Sequence, residues 1–418
     1  MEKLDNNSDL YKISLFVVIS GLLIFAPLAR GSVQSWAGTI LQILTLMGLG
    51  VMILNSLKTN RPVFRRTILS RAIAALMVLV TISLVFSSHK PFAFEGFFMF
   101  LTYVVIYYAV VWVSRNRSLE RALVYVIIGV AFFVSLIGIL KRVDMNPFFW
   151  WIYPEMGAYK EGFLTGVYVN PNHLAGYLEM VIPLVMVLFI TKFRSLEQKF
   201  ILTSMVLVLM ITQVLTLSRG GWIACLGGLI FLSVILALGR QFDQKRMVIT
   251  VAICAALIGV TILAATPVVK TVSTLTRAYP EESLSARIRT WQGTVHMIQE
   301  NLWTGTGPNT FSIVYPGYQV PGLPVLSRKA HNDYLQFISE IGILCLPVIL
   351  LILFTFYKFG FKTLKIPSRQ KQGFTLGGMA GVFAIVIHSF YDFNLFVPAN
   401  AVLFTVIAAI ASGREPGD

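Results

Sequence analysis

The stretch AHNDYLQFISEIGILCLPVILLIL, residues 330–353, marks the sharpest change of character in this chain. It ends a segment of about seventy residues, Val268 to Gln336, that contains no spanning run and is rich in Arg, Pro, Gly and aromatic residues. From Phe337 the chain is apolar, and a helix needs about 20 apolar residues to cross the hydrocarbon core. The stretch therefore predicts a junction between a long extramembrane segment and a spanning helix.

The composition predicts an all-α integral membrane protein. Hydrophobic residues make up 56% of the 418 and charged residues only 13%, about half the share usual in soluble domains. We interpret residues 1–418 as a single polytopic membrane domain. Its apolar runs predict about twelve transmembrane helices, near residues 13–30, 36–57, 72–88, 97–114, 122–140, 174–191, 200–217, 221–239, 248–267, 337–357, 375–391 and 398–412.

The net charge of +15 follows from the membrane topology and does not indicate a nucleic-acid partner. Most Lys and Arg residues lie in short blocks between alternate apolar runs, as in cytoplasmic loops. This places both termini in the cytoplasm and two long segments, 141–173 and 268–336, outside. The first segment carries an aromatic cluster from Phe148 to Tyr153, which is typical of the interface between membrane and water.

Within the second outer segment, Leu284 to Gln299 predicts an amphipathic helix. At about 100° per residue, its apolar side chains fall in one stripe that we expect to face the membrane domain. The stripe comprises Leu284, Ile288, Trp291, Val295 and Ile298. Arg287 lies at the edge of this stripe and is expected to point into the protein, whereas Arg289 lies on the far side.

Arg219 lies in SRGGW, residues 218–222, at the outer end of a predicted span. It runs against the charge bias of the outer loops, and the glycines after it allow a ligand or a backbone to approach closely. One interpretation is an arginine that reaches the head groups. The other is an anion ligand, because the guanidinium fork matches phosphate oxygens.

His331 begins HNDYLQ just before the predicted tenth span. An imidazole at the membrane boundary can take a proton from a hydroxyl that attacks. Asn332 predicts the start of a helix, so a capping role for this stretch and a catalytic role for His331 are compatible.

Two further polar groups lie at the outer ends of spans. His388 is expected to face a neighbour or a cavity, so packing, a hydrogen bond and catalysis all remain open. Asn172 in VNPNHL, residues 169–174, predicts a turn and helix cap, although an amide can also hold sugar hydroxyls. Glu95 and Glu179 are solitary in the sequence, which favours structural roles.

The sequence contains no phosphate-binding GK[ST] loop and no HExxH, CxxC or DxD-like cluster, so neither a cofactor nor a metal is expected. The outer arginines instead suggest that guanidinium groups neutralise a diphosphate. Outside the cell there is no ATP, so glycosyl transfer needs a donor that is already activated. A lipid diphosphate fits this requirement.

Five motifs together resemble the O-antigen ligase/polymerase superfamily of bacterial polysaccharide enzymes. In order they are NPNHLAG, SRGGW, SARIRTWQGTVHMIQENLWTGTGPNTF, HNDYLQFISEIGI and IHSFYDFNLFVPAN, within about residues 165–400. The resemblance implies a GT-C-like helical fold and a metal-independent, inverting glycosyltransferase with a periplasmic site in the inner membrane. It also implies that Arg219 and Arg287 bind the diphosphate of an undecaprenyl-linked glycan and that His331 activates the acceptor hydroxyl.

Asn172, Arg289, Asn332, His388 and Asp392 are possible supporting residues, with the roles of Arg289 and His388 open. The motifs slightly favour a polymerase (Wzy-type), whose acceptor is a second glycan. The alternative is a ligase (WaaL-type) that uses lipid A–core. A flippase for lipid-linked oligosaccharides is the rival of another class, but it would distribute polar residues along the spans, whereas here they gather at one face.

Overall fold

The computed structural model of this protein describes residues 2–60, 62–142, 163–191, 195–239, 249–250, 253, 284–321 and 326–412. Within these ranges the backbone forms helices and turns and no strand, which confirms the predicted all-α class. The α-helices are α1 (Glu2–Leu28), α2 (Ser35–Thr59), α3 (Ser70–Phe86), α4 (Lys90–Val113), α5 (Arg117–Arg142), α6 (Pro171–Thr191), α7 (Leu196–Leu215), α8 (Arg219–Leu238), α9 (Leu284–Glu300), α10 (Phe311–Val314), α11 (Asp333–Ile341), α12 (Cys345–Thr363), α13 (Arg369–His388) and α14 (Pro398–Ser412).

Eight helices in the described part of the chain are long and apolar enough to cross a membrane. They are α1, α2, α4, α5, α6, α7, α8 and α12, while α3 and α14 are shorter apolar helices. The chain is thus a multi-pass membrane protein. The predicted ninth span, 248–267, lies outside the described residues except at 249–250 and 253, and so does the aromatic cluster from Phe148 to Tyr153.

The predicted tenth span, 337–357, is wrong as a continuous helix. The structure breaks it into α11 and α12 at Gly342, where φ is +93°. A Cβ there would lie 2.2 Å from the Trp303 carbonyl oxygen, so only glycine fits. Beside the break, the Ile343 amide donates to the Leu302 carbonyl at 2.8 Å. The docking of the turn after α9 therefore interrupts the helix.

Helices α6 and α13 form the centre of the bundle, and α13 also packs on α8 and α14. Glycines permit the close approach: Gly381 faces the Met180 backbone and Gly377 faces Leu184. Because protein surrounds α13 on most sides, this helix tolerates polar residues at both ends. The predicted eleventh span, 375–391, accordingly begins earlier, at Arg369.

The peripheral helices expose apolar side chains on their outward faces. On α2, Ile43, Leu46 and Met47 are exposed, and on α3 the same holds for Val78 and Val85. Water would disfavour such a surface, whereas lipid accommodates it. These faces are what a multi-pass protein presents to a bilayer.

Several helix ends meet on one side of the bundle. Ser87, after α3, donates its hydroxyl to the Thr306 carbonyl at 2.7 Å, and the Leu164 amide donates to the Leu215 carbonyl at 3.1 Å. Gly220, at the start of α8, lies against His388 at the end of α13. This side, which we call the loop face, also carries α9 to α11 and the candidate site.

Candidate functional site

Two sequence motifs dock onto each other at the loop face. The Asn332 amide group donates to the Phe390 carbonyl at 3.1 Å, and the Tyr334 hydroxyl donates to the Val386 carbonyl at 2.8 Å. Asn332 also caps α11 by accepting from the Leu335 amide at 3.0 Å, as its helix-start pattern predicts. Residues 331–334 are thereby fixed on the segment 386–395.

Asp333 holds this junction together from inside. Its carboxylate accepts from the Ser389 hydroxyl at 2.7 Å and from the Leu395 amide at 3.2 Å, and its own amide donates to the Ser389 carbonyl at 2.9 Å. Burial raises the pKa of Asp333 to about 8, although the Ser389 hydroxyl and the Leu395 backbone amide both lower it. Asp333 directly follows the helix-start residue Asn332, and its bridging role was not predicted from the sequence.

His331 lies next to a carboxylate, a partner that can hold an imidazole in one orientation. Its Nδ1 is 3.3 Å from Oδ1 of Asp392, and its ring makes an edge contact with Phe393 at 4.9 Å between centroids. The backbone of His331 has φ +49°, a strained value for a residue with a side chain. Its side chain is 20% exposed, whereas that of Asp392 is 1% exposed. The carboxylate thus orients an imidazole that solvent or substrate can reach.

Arg287 approaches the same carboxylate from α9. Its Nη2 lies 3.8 Å from Oδ2 of Asp392, and its Nη1 donates to the Tyr391 carbonyl at 2.7 Å. Burial alone would raise the pKa of Asp392, but the close approach of the His331 imidazole and the positive charge of Arg287 hold that pKa well below its usual range. Asp392 therefore remains ionised between an imidazole and a guanidinium group.

The face of α9 that packs on protein differs from the predicted one. Leu284, Ile288 and Val295 are exposed, so the expected apolar stripe is wrong for these three residues. The buried face consists mainly of small and polar residues, together with Met297 and with Ile298 from the predicted stripe; its members are Ala286, Thr290, Gly293, Thr294, Met297 and Ile298. A Cβ on Gly293 would lie 2.4 Å from the Tyr318 carbonyl oxygen, so the backbones meet too closely for large side chains.

Arg287 nevertheless points inward, as expected, because it lies about 20° from Thr294 around the helix. Its side chain is 15% exposed, whereas Arg289 is an exposed residue. Trp291, at the edge of the buried face, donates its indole N–H to the Ala330 carbonyl at 3.0 Å. This bond ties α9 directly to the residue before His331.

Arg219 is the first residue of α8, which Ser218 caps by accepting from the Gly221 amide at 3.1 Å. Its side chain is exposed at the loop face. A Cβ on the neighbouring Gly220 would lie 3.1 Å from Nε2 of His388 and 3.4 Å from Cβ of Tyr391. The structure thus brings Arg219 beside the same segment that holds Arg287 and Asp392.

His388 pairs with Glu179 in the interior. Its Nδ1 lies 3.1 Å and 3.0 Å from the two carboxylate oxygens, and both side chains are buried. The hydrogen-bond alternative for His388 is therefore the one that the geometry supports. Glu179, solitary in the sequence, has a partner from a helix more than two hundred residues away along the chain.

The NPNH segment reaches the site through a residue that the sequence did not select. Asn172 donates its backbone amide to Asn170 Oδ1 at 2.8 Å, which makes a turn at the start of α6. His173 instead makes an edge contact with Phe393 at 4.8 Å, and its charge also lowers the pKa of Asp392. In the sequence His173 follows two asparagines, and nothing in this local pattern predicts its contact with Phe393.

The turn after α9 is clamped to α11. Glu340 accepts from the amides of Asn309 at 2.7 Å and Phe311 at 3.3 Å. The Thr306 amide donates to the Ser339 carbonyl at 3.0 Å. Gly307 has φ +119°, a value that suits only glycine. These contacts fix the position of the end of α9 relative to α11, and α9 carries Arg287.

Comparison with known families gives one match. Residues 203–350 fit the sequence model of a family described as O-antigen ligase. The fitted segment runs from α7 to α12 and includes Arg219, Arg287 and His331, while the segment that carries Asp392 follows it. No curated protein matches the chain. The family match covers about a third of the chain, and it supports the resemblance to the O-antigen ligase/polymerase superfamily and a ligase- or polymerase-type function in general.

Proposed function

We propose that this protein transfers a glycan from undecaprenyl diphosphate to the hydroxyl of an acceptor, with inversion at the anomeric carbon. The observation that carries the proposal is the position of Asp392 between His331 and Arg287. This arrangement places a base and an anion-binding group around one fixed carboxylate. A sugar hydroxyl and a diphosphate leaving group need these two partners.

His331 is the proposed general base. Its Nδ1 faces Asp392, so Nε2 is the nitrogen left to accept the proton of the acceptor hydroxyl. The ionised carboxylate stabilises the imidazolium that forms during the attack. The oxygen then bonds to C1 of the donor glycan as the bond from C1 to the diphosphate oxygen breaks.

Arg287 and Arg219 are the proposed partners of the departing diphosphate. Arg287 is held by Asp392 and the Tyr391 carbonyl, which limits its movement. Arg219 is exposed at the start of α8, beside Gly220. Fixed cations at the site of developing charge stabilise the transition state, and guanidinium groups do so here without a metal.

The polymerase remains the first choice for the acceptor, on the motif resemblance in HNDYLQ and IHSFYDF. The family match fits both this choice and the alternative of transfer to lipid A–core. The proposed orientation has both termini in the cytoplasm and the loop face in the periplasm, in the inner membrane of a bacterium. It is supported by the clustering of Lys and Arg in alternate loops.

The first test is biochemical. Purified protein is incubated with a glycan on undecaprenyl diphosphate and an acceptor, and free undecaprenyl diphosphate is measured. Release that depends on the acceptor supports the proposal. A protein that moves the lipid across vesicles without releasing diphosphate would instead be a flippase.

The second test separates polymerase from ligase through the surface glycan of a deletion strain. Loss of the polymerase leaves lipid A–core carrying a single repeat unit. Loss of the ligase leaves bare core and an accumulation of long glycan on undecaprenyl diphosphate. The two patterns are distinct on one gel.

A further inference from the structure

Glu179 and His388 form a buried pair between α6 and α13, and the transfer proposed above uses neither side chain. Nδ1 of His388 lies 3.1 Å and 3.0 Å from the two carboxylate oxygens of Glu179. Both side chains are sealed from solvent, so neither can touch a substrate. Stability alone is a weak reason for such a pair, because a buried ion pair is often no more stabilising than apolar residues of the same size.

The pair lies where the backbones of three helices come together. On α6, Ala175 is one turn before Glu179 and on the same face. A Cβ on Gly221 of α8 would lie 2.5 Å from the Cβ of Ala175, so α6 touches the start of α8. A Cβ on Gly381 of α13 would lie 2.5 Å from the Met180 carbonyl oxygen, so α6 also touches α13. The close packing leaves the pair little room to move.

The backbone of His388 holds the segment that carries the candidate site. Its carbonyl accepts from the Tyr391 amide at 2.8 Å and from the Asp392 amide at 3.0 Å. The Tyr391 carbonyl in turn accepts from Nη1 of Arg287 at 2.7 Å, and the Asp392 carboxylate lies beside His331. One residue at the end of α13 thus supports both the proposed base and one of the proposed diphosphate ligands.

The imidazole ring of His388 reaches the helix that carries the other arginine. A Cβ on Gly220, in the first turn of α8, would lie 3.1 Å from Nε2 of His388 and 3.4 Å from Cβ of Tyr391. Gly220 directly follows Arg219. Because Glu179 holds Nδ1, it also sets the direction of Nε2 and the contact of the ring with α8.

We propose that Glu179 and His388 are positioning residues for the transfer. The pair fixes the end of α13, and the end of α13 fixes the distances among Arg219, Arg287 and Asp392. A displacement of about 1 Å in a reacting group can cost about 10²-fold in rate, and hydrogen bonds behind the reacting groups provide the required precision. The inference rests on the function proposed above, because it takes these three residues as parts of the site.

Turnover per folded molecule separates positioning from general stability. Glu179→Ala frees the imidazole and should lower kcat for the release of undecaprenyl diphosphate on the order of 10²-fold. Glu179→Gln should recover most of this loss, because its amide oxygen can still accept from Nδ1–H. The control is Lys371→Ala, which removes one member of a buried pair at the opposite end of α13. It should lower the unfolding temperature in detergent and keep kcat.

Gly220→Ala tests the contact between the imidazole and α8 without removing either member of the pair. The added methyl group should displace the ring or α8 slightly and lower kcat by about tenfold, less than a full displacement of about 1 Å would. The control is Gly227→Ala, about two turns later on α8, whose methyl group would meet only the end of the Ile387 side chain at 2.5 Å. It should keep kcat. In the Glu179→Ala background, Gly220→Ala should add little, because the ring is already free.

Pulsed electron spin resonance measures the positioning without requiring transfer. Nitroxide labels are attached to Ile230→Cys on α8 and to Phe390→Cys, both at exposed positions, in the full-length protein with its three natural cysteines replaced. The labelled protein should give a narrow distribution of distances. Glu179→Ala should broaden this distribution, whereas Lys371→Ala should leave it narrow.

Three results would overturn the positioning role. The first is a Glu179→Ala protein that unfolds at a lower temperature but keeps kcat, as expected of Lys371→Ala. The second is the same kcat for Gly220→Ala and Gly227→Ala, and this comparison decides alone if Glu179→Ala does not fold. The third is an equally narrow distance distribution with and without Glu179. These outcomes leave the proposed transfer intact, whereas a wild type with a narrow distribution and no release of undecaprenyl diphosphate refutes the transfer itself.

Discussion

The two ends of α13 carry buried charges in different arrangements. At its start, Lys371 lies 3.1 Å from Glu120, and their side chains are 6% and 1% exposed. Beyond its end, Asp392 lies 3.3 Å from His331 and 3.8 Å from Arg287, both of which are partly exposed. The first arrangement is short and closed, whereas the second is longer and open on one side.

The hydrogen bonds reinforce this difference. Lys371 also donates to the Ile410 carbonyl at 2.7 Å, and Gln370 donates to Glu120 at 3.4 Å. These bonds join α5, α13 and α14, so this pair serves the fold. At the other end one carboxylate faces two basic side chains that substrate can reach. A charge cluster that is paired and sealed indicates structure, while an incompletely enclosed cluster of one carboxylate and two basic side chains indicates a site for a substrate.

The largest expected effect is on His331. His331→Ala should lower transfer on the order of 10²–10⁴-fold, the usual contribution of general base catalysis. Transfer is measured as polymer or ligated glycan on a gel and as undecaprenyl diphosphate released in vitro. His296→Ala, on the exposed side of α9, is the matched control and should transfer normally. Glycan of near wild-type length from His331→Ala would refute its role as the base.

Substitutions of the arginines test the role of positive charge in the cluster around Asp392. Arg287→Ala or Arg219→Ala should each lower transfer on the order of 10²–10³-fold, by analogy with the loss of one preorganised donor to a developing anion. Arg289→Ala, two residues from Arg287 but exposed, should have a small effect. Equal losses for Arg287→Ala and Arg289→Ala would mean that the effect depends only on the total positive charge of α9. In that case α9 does not hold an arginine in position for a ligand.

Substitution in the pair of Lys371 and Glu120, at the start of α13, should lower stability and not activity. Lys371→Ala leaves Glu120 buried without its ammonium partner, and such a change costs about 3–5 kcal/mol of stability. The thermal unfolding temperature in detergent should fall, while turnover per folded molecule stays unchanged. A variant of normal stability with lost transfer would contradict the structural role of this pair.

Most of the spans could be predicted from local sequence, because hydropathy is a property of neighbouring residues. The inward orientation of Arg287 was predicted correctly, although the apolar stripe from which it was inferred was not. The pairs that build the site could not be predicted in this way. Asp392 meets His331 across about sixty residues, and Glu179 meets His388 across about two hundred. Nothing local to either residue specifies such a partner.

The errors have a related cause. Gly342 breaks the predicted tenth span because the Trp303 carbonyl lies against it, and Gly293 turns the small face of α9 inward because the Tyr318 carbonyl lies against it. In both places the backbone of a distant segment overrides the local apolar pattern. Glycines in the sequence can indicate close backbone contacts of this kind. The sequence does not show which segment makes the contact.

Substitution of Asp333 should have the smallest effect. It is specific to the junction between residues 331–334 and 386–395, because Asp333 contacts neither arginine. Its pKa is raised to about 8, so the folded state holds a proton that the unfolded state releases. Its contribution to stability is therefore present below about pH 4 and is lost as the pH rises toward about pH 8. Asp333→Asn mimics the protonated acid, so its amide oxygen can accept from Ser389 and Leu395 at every pH.

The thermal unfolding temperature of the wild type should thus fall more steeply with rising pH across this window than that of Asp333→Asn. Asp9→Asn, at an exposed position near the N-terminus, is the control and should retain the slope of the wild type. The same slope in Asp333→Asn would mean that Asp333 is ionised in the folded protein. In that case the junction between residues 331–334 and 386–395 is held by a charged carboxylate.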